Sequence, residues 1–232
     1  LKNKDKIKNL MRDNIKKYDN IHLMYLYKII KNFLIEQNIN NLLISLSGGV
    51  DSMVLFEIID DIKLNSLTEL NIILCHINYN NRKESIDERD FLIEYCLFKN
   101  HDLKVLNLDF TRDELKRDVY EKESRCKRYN FYHTLNEEFN LQGVFLAHHQ
   151  DDLVENIFNN LMRGSRELTD LTVLKDKNEI LDVIIYRPML SVRKDIIYNF
   201  AHQFNIPYFL DTTPDWSCRG KMRRNIFPKC ID

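Results

Sequence analysis

LLISLSGGVDSMVLFEIID, residues 42–60, decides the fold. A short run with apolar bias, residues 42–46, leads through SGGVDS into a segment whose apolar positions repeat at helical spacing. A strand that hands over to a helix through two adjacent glycines has the makings of an anion site. Glycine permits positive φ and close approach of a ligand. The first helical turn then aims its unpaired amides and the positive end of its dipole at that ligand. The chain has only 5 glycines in 232 residues, and two of them are Gly48 and Gly49. Such economy points to a backbone requirement at this corner. Ser47 and Ser52 add hydroxyls, Val50 opens the helix, and Asp51 adds a carboxylate. The plainer alternative is an ordinary strand-to-helix turn with a capping serine.

Outward from this corner, strand-like and helix-like segments alternate. Residues 42–46, 70–77, 103–108, 144–147 and 183–186 are short runs with apolar bias. Helical patterns occupy residues 50–63, 84–99, 120–139 and 151–163, with a leading helix over 21–37 and a further one over 191–204. That rhythm predicts an α/β fold with a mostly parallel, doubly wound sheet, whose ligands sit beyond the carboxyl ends of the strands. From residue 211 the texture changes to TTPDWSCRGKMRRNIFPKC, an irregular and basic stretch.

Composition narrows the classes. A content of 44% hydrophobic and 30% charged residues supports one sizeable core. The 34 basic and 35 acidic side chains give a net charge of -1, so a nucleic-acid partner must be held by a local basic patch. The 5 cysteines (Cys75, Cys96, Cys126, Cys218 and Cys230) are scattered without a C-x-x-C pair, which fits a reducing, cytoplasmic compartment. No apolar run approaches the ~20 residues of a membrane helix, so no membrane partner is expected. The start is Lys-rich but carries Asp5 and Asp13, unlike an acid-poor transit peptide. Leu1 in place of methionine leaves room for a removed targeting segment, and with it an organelle.

Two familiar phosphate loops are excluded. A Walker A loop needs G-x-x-x-x-G-K-[ST] and a dinucleotide fingerprint needs G-x-G-x-x-G; neither is present. A carboxylate beside the phosphates, instead of a lysine, suits a magnesium ion that neutralises a departing pyrophosphate.

SGGVDS resembles the PP-loop of the ATP pyrophosphatases, SGGxDS, which follows a strand as it does here. Members of that superfamily cleave ATP between the α and β phosphates and pass AMP to an oxygen. A second segment, LAHHQDDLVENIFNNLMRGS (residues 146–165), resembles the AHHxDDxxET...RG segment of the tRNA(Ile)-lysidine synthetases. Helical spacing puts His148, Asp152 and Glu155 on one stripe if the first turn begins near His148, with Leu153, Ile157 and Leu161, plus Val154 and Phe158, as a core stripe. The histidine and carboxylate can share a metal or orient and deprotonate a nucleophile; the plainer alternative is that Asp151 and Asp152 complement a helix dipole.

Weaker similarities follow in the same order along the chain. CHINYNNRKES (residues 75–85) is similar to the family's HxxHGxRxES, keeping His76, Arg82, Glu84 and Ser85, with Tyr79 and Asn80 in place of His and Gly. ESRCKRY (residues 123–129) resembles A-R-x-x-R-Y through Arg125, Arg128 and Tyr129, and YRPMLSVRKDII (residues 186–197) resembles the R-P-L-L segment through Arg187. RGKMRRNIFP (residues 219–228) resembles the closing R-x-x-x-R-N-x-x-x-P element, although the preceding TTPD departs from the usual acidic-x-Ser-Asn.

The resemblance implies an adenine nucleotide alpha hydrolase-like, Rossmann-like PP-loop fold. The chain is expected to divide into a charged N-terminal segment with a leading helix (1–40), a PP-loop ATP-binding catalytic domain (41–210) and a basic C-terminal tail (211–232). The resemblance further implies ATP on Ser47, Gly48, Gly49, Val50, Asp51 and Ser52, with His76 nearby, and Mg2+ at Asp51 and Asp152. The implied reaction modifies the wobble cytidine of an isoleucine tRNA with a CAU anticodon. The cytidine oxygen attacks the α phosphate and releases pyrophosphate; free lysine then attacks through its ε-amine and expels AMP, leaving lysidine. His148 or Asp152 is the implied base, Arg125, Arg128 or Arg187 the implied charge stabiliser, and Arg82, Arg219, Lys221, Arg223 and Arg224 are implied tRNA contacts.

Two rivals are distinguishable. A tRNA thiolase of the same superfamily shares the loop, but its best-known branch uses a C-x-x-C pair that this chain lacks. A non-catalytic nucleotide-binding module would bind ATP and release no pyrophosphate with any tRNA.

Overall fold

The computed structural model describes residues 25–81, 84–112, 114–162, 174–210, 220 and 222. Its elements are α1 (Tyr25–Glu36), β1 (Asn41–Ser45), α2 (Val50–Asn65), β2 (Asn71–Asn78), α3 (Glu84–Phe98), β3 (Leu103–Asn107), α4 (Arg117–Phe139), β4 (Val144–Phe145), α5 (Gln150–Met162), β5 (Lys177–Ile180), β6 (Val183–Tyr186) and α6 (Lys194–Gln203). Residues 1–24 of the expected leading segment and most of the basic tail lie outside the described residues, as do Arg82, Arg219, Lys221, Arg223, Arg224, Cys218 and Cys230.

The strands form one sheet in the order β3-β2-β1-β4-β6-β5, parallel except for the β5–β6 pair. From β1 the chain winds one way through β2 to β3, then returns to the other side of β1 as β4. That reversal makes the β1/β4 boundary the switch point, where a crevice opens beyond the strand ends. Period-two alternation sorts the side chains. Leu42 and Ile44 of β1 join the core beneath α1, α2, α3 and α6, while Leu43 points to the opposite core beneath α4, with Tyr129, Tyr132 and Leu135.

Helix α2 is buried nearly all round, which explains why its pattern reads as apolar rather than amphipathic. Two of its acids, Glu57 and Asp60, are buried on the side away from the crevice. Tyr95 and Lys99 (2.7 Å) hold Glu57, and His101 (2.8 Å) holds Asp60. Buried charge is tolerable only with such partners.

Three expectations need correction. Strand β5 was not expected: KNEI is polar, sits at a sheet edge and alternates between exposed and half-buried. Its hairpin loop, Leu181–Asp182, holds both residues at positive φ (49° and 60°) without the Asn-Gly or Asp-Gly signal that flags such turns. Helix α6 begins at Lys194, not residue 191, because residues 187–193 form turns, with Val192 N–H donating to the Met189 carbonyl at 2.8 Å. Helix α5 begins at Gln150, so His148 precedes it, and its expected core stripe is not a core: Glu155 is 1% exposed while Leu161 is 48% exposed. The phase is set at the first turn, where the His149 N–H donates to Asp152 Oδ2 at 3.1 Å. With Asp152 turned inward, Glu155 three residues later follows it and the apolar stripe faces the other way.

Candidate active site

The loop between β1 and α2 takes its shape from one glycine and two serines. Gly48 sits at φ 81°, and a β-carbon there would lie 2.8 Å from Phe209 Cδ2. Phe209 itself donates its N–H to the Gly48 carbonyl at 2.9 Å, so the segment after α6 braces the loop from behind. Gly49 is extended (φ -73°) and serves as N-cap of α2 without a side-chain cap bond. A β-carbon on Gly49 would meet only Ser47 Oγ, at 3.4 Å. Gly48 therefore supplies conformation and Gly49 supplies space. Ser52 Oγ accepts from the Ser47 N–H (3.1 Å) and contacts Ser47 Oγ (3.0 Å), while Ser47 Oγ accepts from the Gly49 N–H (3.3 Å). The hydroxyls lock the loop onto the helix start, whose first amides have no intrahelical acceptor.

A cavity of about 430 Å³ opens at this corner. Among the expected site residues, Ser47, Gly49, Val50, Asp51, Ser52, Arg128, His148 and Asp152 line it. Tyr79, Tyr132 and Lys194 share the wall. Four expected residues among those described do not line it, the first being Gly48, packed against Phe209. His76 is buried with Nδ1 2.8 Å from the Leu46 carbonyl, beneath the loop. Arg125 is exposed and lies over the Tyr129 ring at 5.1 Å. Arg187 is 2% exposed and bonds to His148 from behind.

Charge at the cavity is arranged around two carboxylates. Lys194 Nζ lies 2.6 Å from each oxygen of Asp51. His149 is buried, with Nε2 3.6 Å from Asp51 Oδ1 and 3.4 Å from Asp152 Oδ2. Arg128 enters from α4, its Nη1 3.4 Å from the Tyr79 hydroxyl and its Nε buried without a hydrogen-bond partner. Lys194 and His149 were not singled out in the sequence. The signal for Lys194 is that a cation at the first position of a helix opposes the helix dipole, a local misfit that a functional contact explains.

No group of three or more His, Cys, Asp or Glu side chains at metal-binding spacing occurs among the described residues. Magnesium does not require one. It keeps several waters and takes one or two carboxylates together with substrate phosphates. Asp51 and Asp152, hard oxygen donors on the wall of this cavity, fit that pattern.

A family profile described as "PP-loop domain" matches residues 23–230. The chain belongs to the PP-loop domain family. Curated relatives of this PP-loop chain include a tRNA(Ile)-lysidine synthase of Mycoplasma mycoides, 30% identical over 196 residues and covering 82% of this chain and 47% of that protein. Another is a tRNA(Ile)-lysidine synthase of Mesomycoplasma hyopneumoniae, 33% identical over 184 residues, covering 79% and 57%. The chain thus spans about half the length of the curated relatives it matches. Among solved structures, the U34-tRNA thiolase NcsA of Methanococcus maripaludis, with its 4Fe-4S cluster, superposes at a TM-score of 0.68 and 16% identity, covering 86% of this chain and 69% of that one. At that identity the likeness concerns the fold of this PP-loop domain alone.

Proposed function

We propose that this PP-loop protein is an ATP-dependent tRNA-modifying ligase that adenylates the wobble cytidine of an isoleucine tRNA with a CAU anticodon and then attaches free lysine to give lysidine. The observation that carries the reading is the loop at residues 47–52, with its glycine-shaped backbone and the cavity it opens into, in a chain whose relatives are tRNA(Ile)-lysidine synthases.

The chemistry divides into two displacements at one cavity. The triphosphate lies against Gly49 and the first turn of α2, where unpaired amides and the Ser47 and Ser52 hydroxyls receive its oxygens. The cytidine carbonyl oxygen forms a bond to the α phosphorus as the bond to the β-phosphate oxygen breaks, and pyrophosphate leaves. The lysine ε-amine then bonds to the activated ring carbon and AMP departs with the shared oxygen. The amine proton passes to a carboxylate, for which Asp152 is placed on the cavity wall. Arg128, half-buried with its Nε buried and unpaired, stabilises negative charge developing on the phosphate oxygens. Asp51 and Asp152 would hold Mg2+, which neutralises phosphate charge when bound. Lys194, now on Asp51, is within reach of the same phosphates.

Sulfur transfer is the weaker reading. Cys75 and Cys96 are buried, their thiols pushed up to about 12 by desolvation, so neither is a thiolate at neutral pH. Incubation with total tRNA, ATP and labelled lysine tests the proposal: label should enter one isoleucine tRNA, with one AMP and one pyrophosphate per lysine. ATP binding without pyrophosphate release in the presence of any tRNA would leave only the nucleotide-binding module.

A further inference from the structure

Arg187 was expected to stabilise charge directly, yet it faces away from the cavity. Its Nη1 donates to the Lys175 carbonyl at 2.7 Å and to Asn178 Oδ1 at 2.5 Å, and its backbone N–H donates to the Asp176 carbonyl at 2.7 Å. These bonds tie it to β5 and the residues just before it, so the direction of the guanidinium is fixed. From that position Nε donates to His148 Nδ1 at 3.1 Å. A guanidinium has donors only, so the nitrogen it meets must offer a lone pair. In a neutral imidazole the remaining proton then resides on Nε2.

We propose that Arg187 is a positioning residue that holds His148 as the Nε2–H tautomer, making this cavity-lining histidine a hydrogen-bond donor to a phosphate oxygen of the bound nucleotide. The choice between His148 and Asp152 as proton acceptor is thereby resolved. Nδ1 is occupied by the guanidinium and Nε2 already carries a proton, which leaves Asp152 to take the amine proton. The edge hairpin of β5 and β6 acquires a purpose as well: it is the frame on which the arginine is mounted. The inference rests on the proposed nucleotide reaction for the identity of the acceptor, but the tautomer itself does not depend on any activity.

Nitrogen-15 NMR of protein labelled at histidine tests it, with the His148 ring assigned by the signals lost in His148→Gln. In the unsubstituted protein at neutral pH, Nδ1 should resonate as an unprotonated nitrogen and Nε2 as a protonated one. In Arg187→Met the two nitrogens should move toward averaged positions. Pyrophosphate release should then fall about 10- to 100-fold in kcat, with KM for ATP little changed, as for loss of a group that orients a functional histidine. A proton on Nδ1 in the unsubstituted protein overturns the proposal, and so does an Arg187→Met protein with unchanged tautomer and kcat. If Arg187→Met fails to fold, the spectrum of the unsubstituted protein still decides. The expected tautomer in a protein that releases no pyrophosphate with any tRNA would remove the proposed reaction and leave the positioning role standing.

Discussion

Lys194 Nζ bridges both carboxylate oxygens of Asp51 at 2.6 Å, joining residues 143 positions apart in the chain. The contact brings together the first turns of α2 and α6, so two helix dipoles and an ammonium converge where Asp51 is the neutralising anion. A triphosphate entering this corner competes with Asp51 for Lys194. Lys194→Met should raise KM for ATP by roughly tenfold or more, the worth of one charge-assisted hydrogen bond. Its cost to stability should be only about 1 kcal/mol, because the pair is partly solvated. Pyrophosphate-release kinetics and urea melts read the two effects. An unchanged KM would remove Lys194 from the phosphate site.

The paired glycines separate two requirements. Gly48→Ala places a side chain at φ 81° and against Phe209, and should cost about 1–2 kcal/mol from the left-handed backbone alone. Gly49→Ala meets only ordinary contact with Ser47 Oγ, so its urea midpoint should barely move. ATP binding should nevertheless weaken severely, since the added methyl fills the space facing the cavity. Equal loss of stability in both variants would contradict the division of roles.

His76 titrates against the fold. Burial lowers its pKa from the ordinary 6.5; the Leu46 carbonyl works in the opposite direction and the Arg89 charge adds to the lowering. Below pH 6.5 the unfolded chain binds a proton that the folded state resists, so the stability tied to neutral His76 is complete above that pH and is lost as the pH falls below it. Urea midpoints at pH 5, 6 and 7 should rise with pH more steeply in the unsubstituted protein than in His76→Gln. Parallel slopes would show that His76 is not the group responsible.

Much of this was legible in the sequence because the physics is local. The strands β1, β2, β3 and β6 are apolar runs, and β1 hands over to α2 through two glycines whose letters already offer what the loop uses, positive φ at Gly48 and absence of a side chain at Gly49. Hidden features depended on distant partners or on tertiary phase. Lys194 meets Asp51 only once β1 and the turn after β6 are brought together, and its misfit with the helix dipole does not name that partner. Glu155 is buried because Asp152 fixes the rotation of α5, against an apolar stripe that argued the reverse. Leu181 and Asp182 form a tight hairpin turn with residues that rarely adopt its backbone, so β5 left no mark.

The position of the triphosphate is the most direct test. A crystal structure with a non-hydrolysable ATP analogue and magnesium should place the phosphates against Gly49, Ser52 and the first turn of α2, with Lys194 turned from Asp51 toward them. Phosphates bound elsewhere, for instance in the second cavity walled by Phe33, Leu153 and Pro188, with the Ser47–Ser52 corner left to solvent, would contradict it.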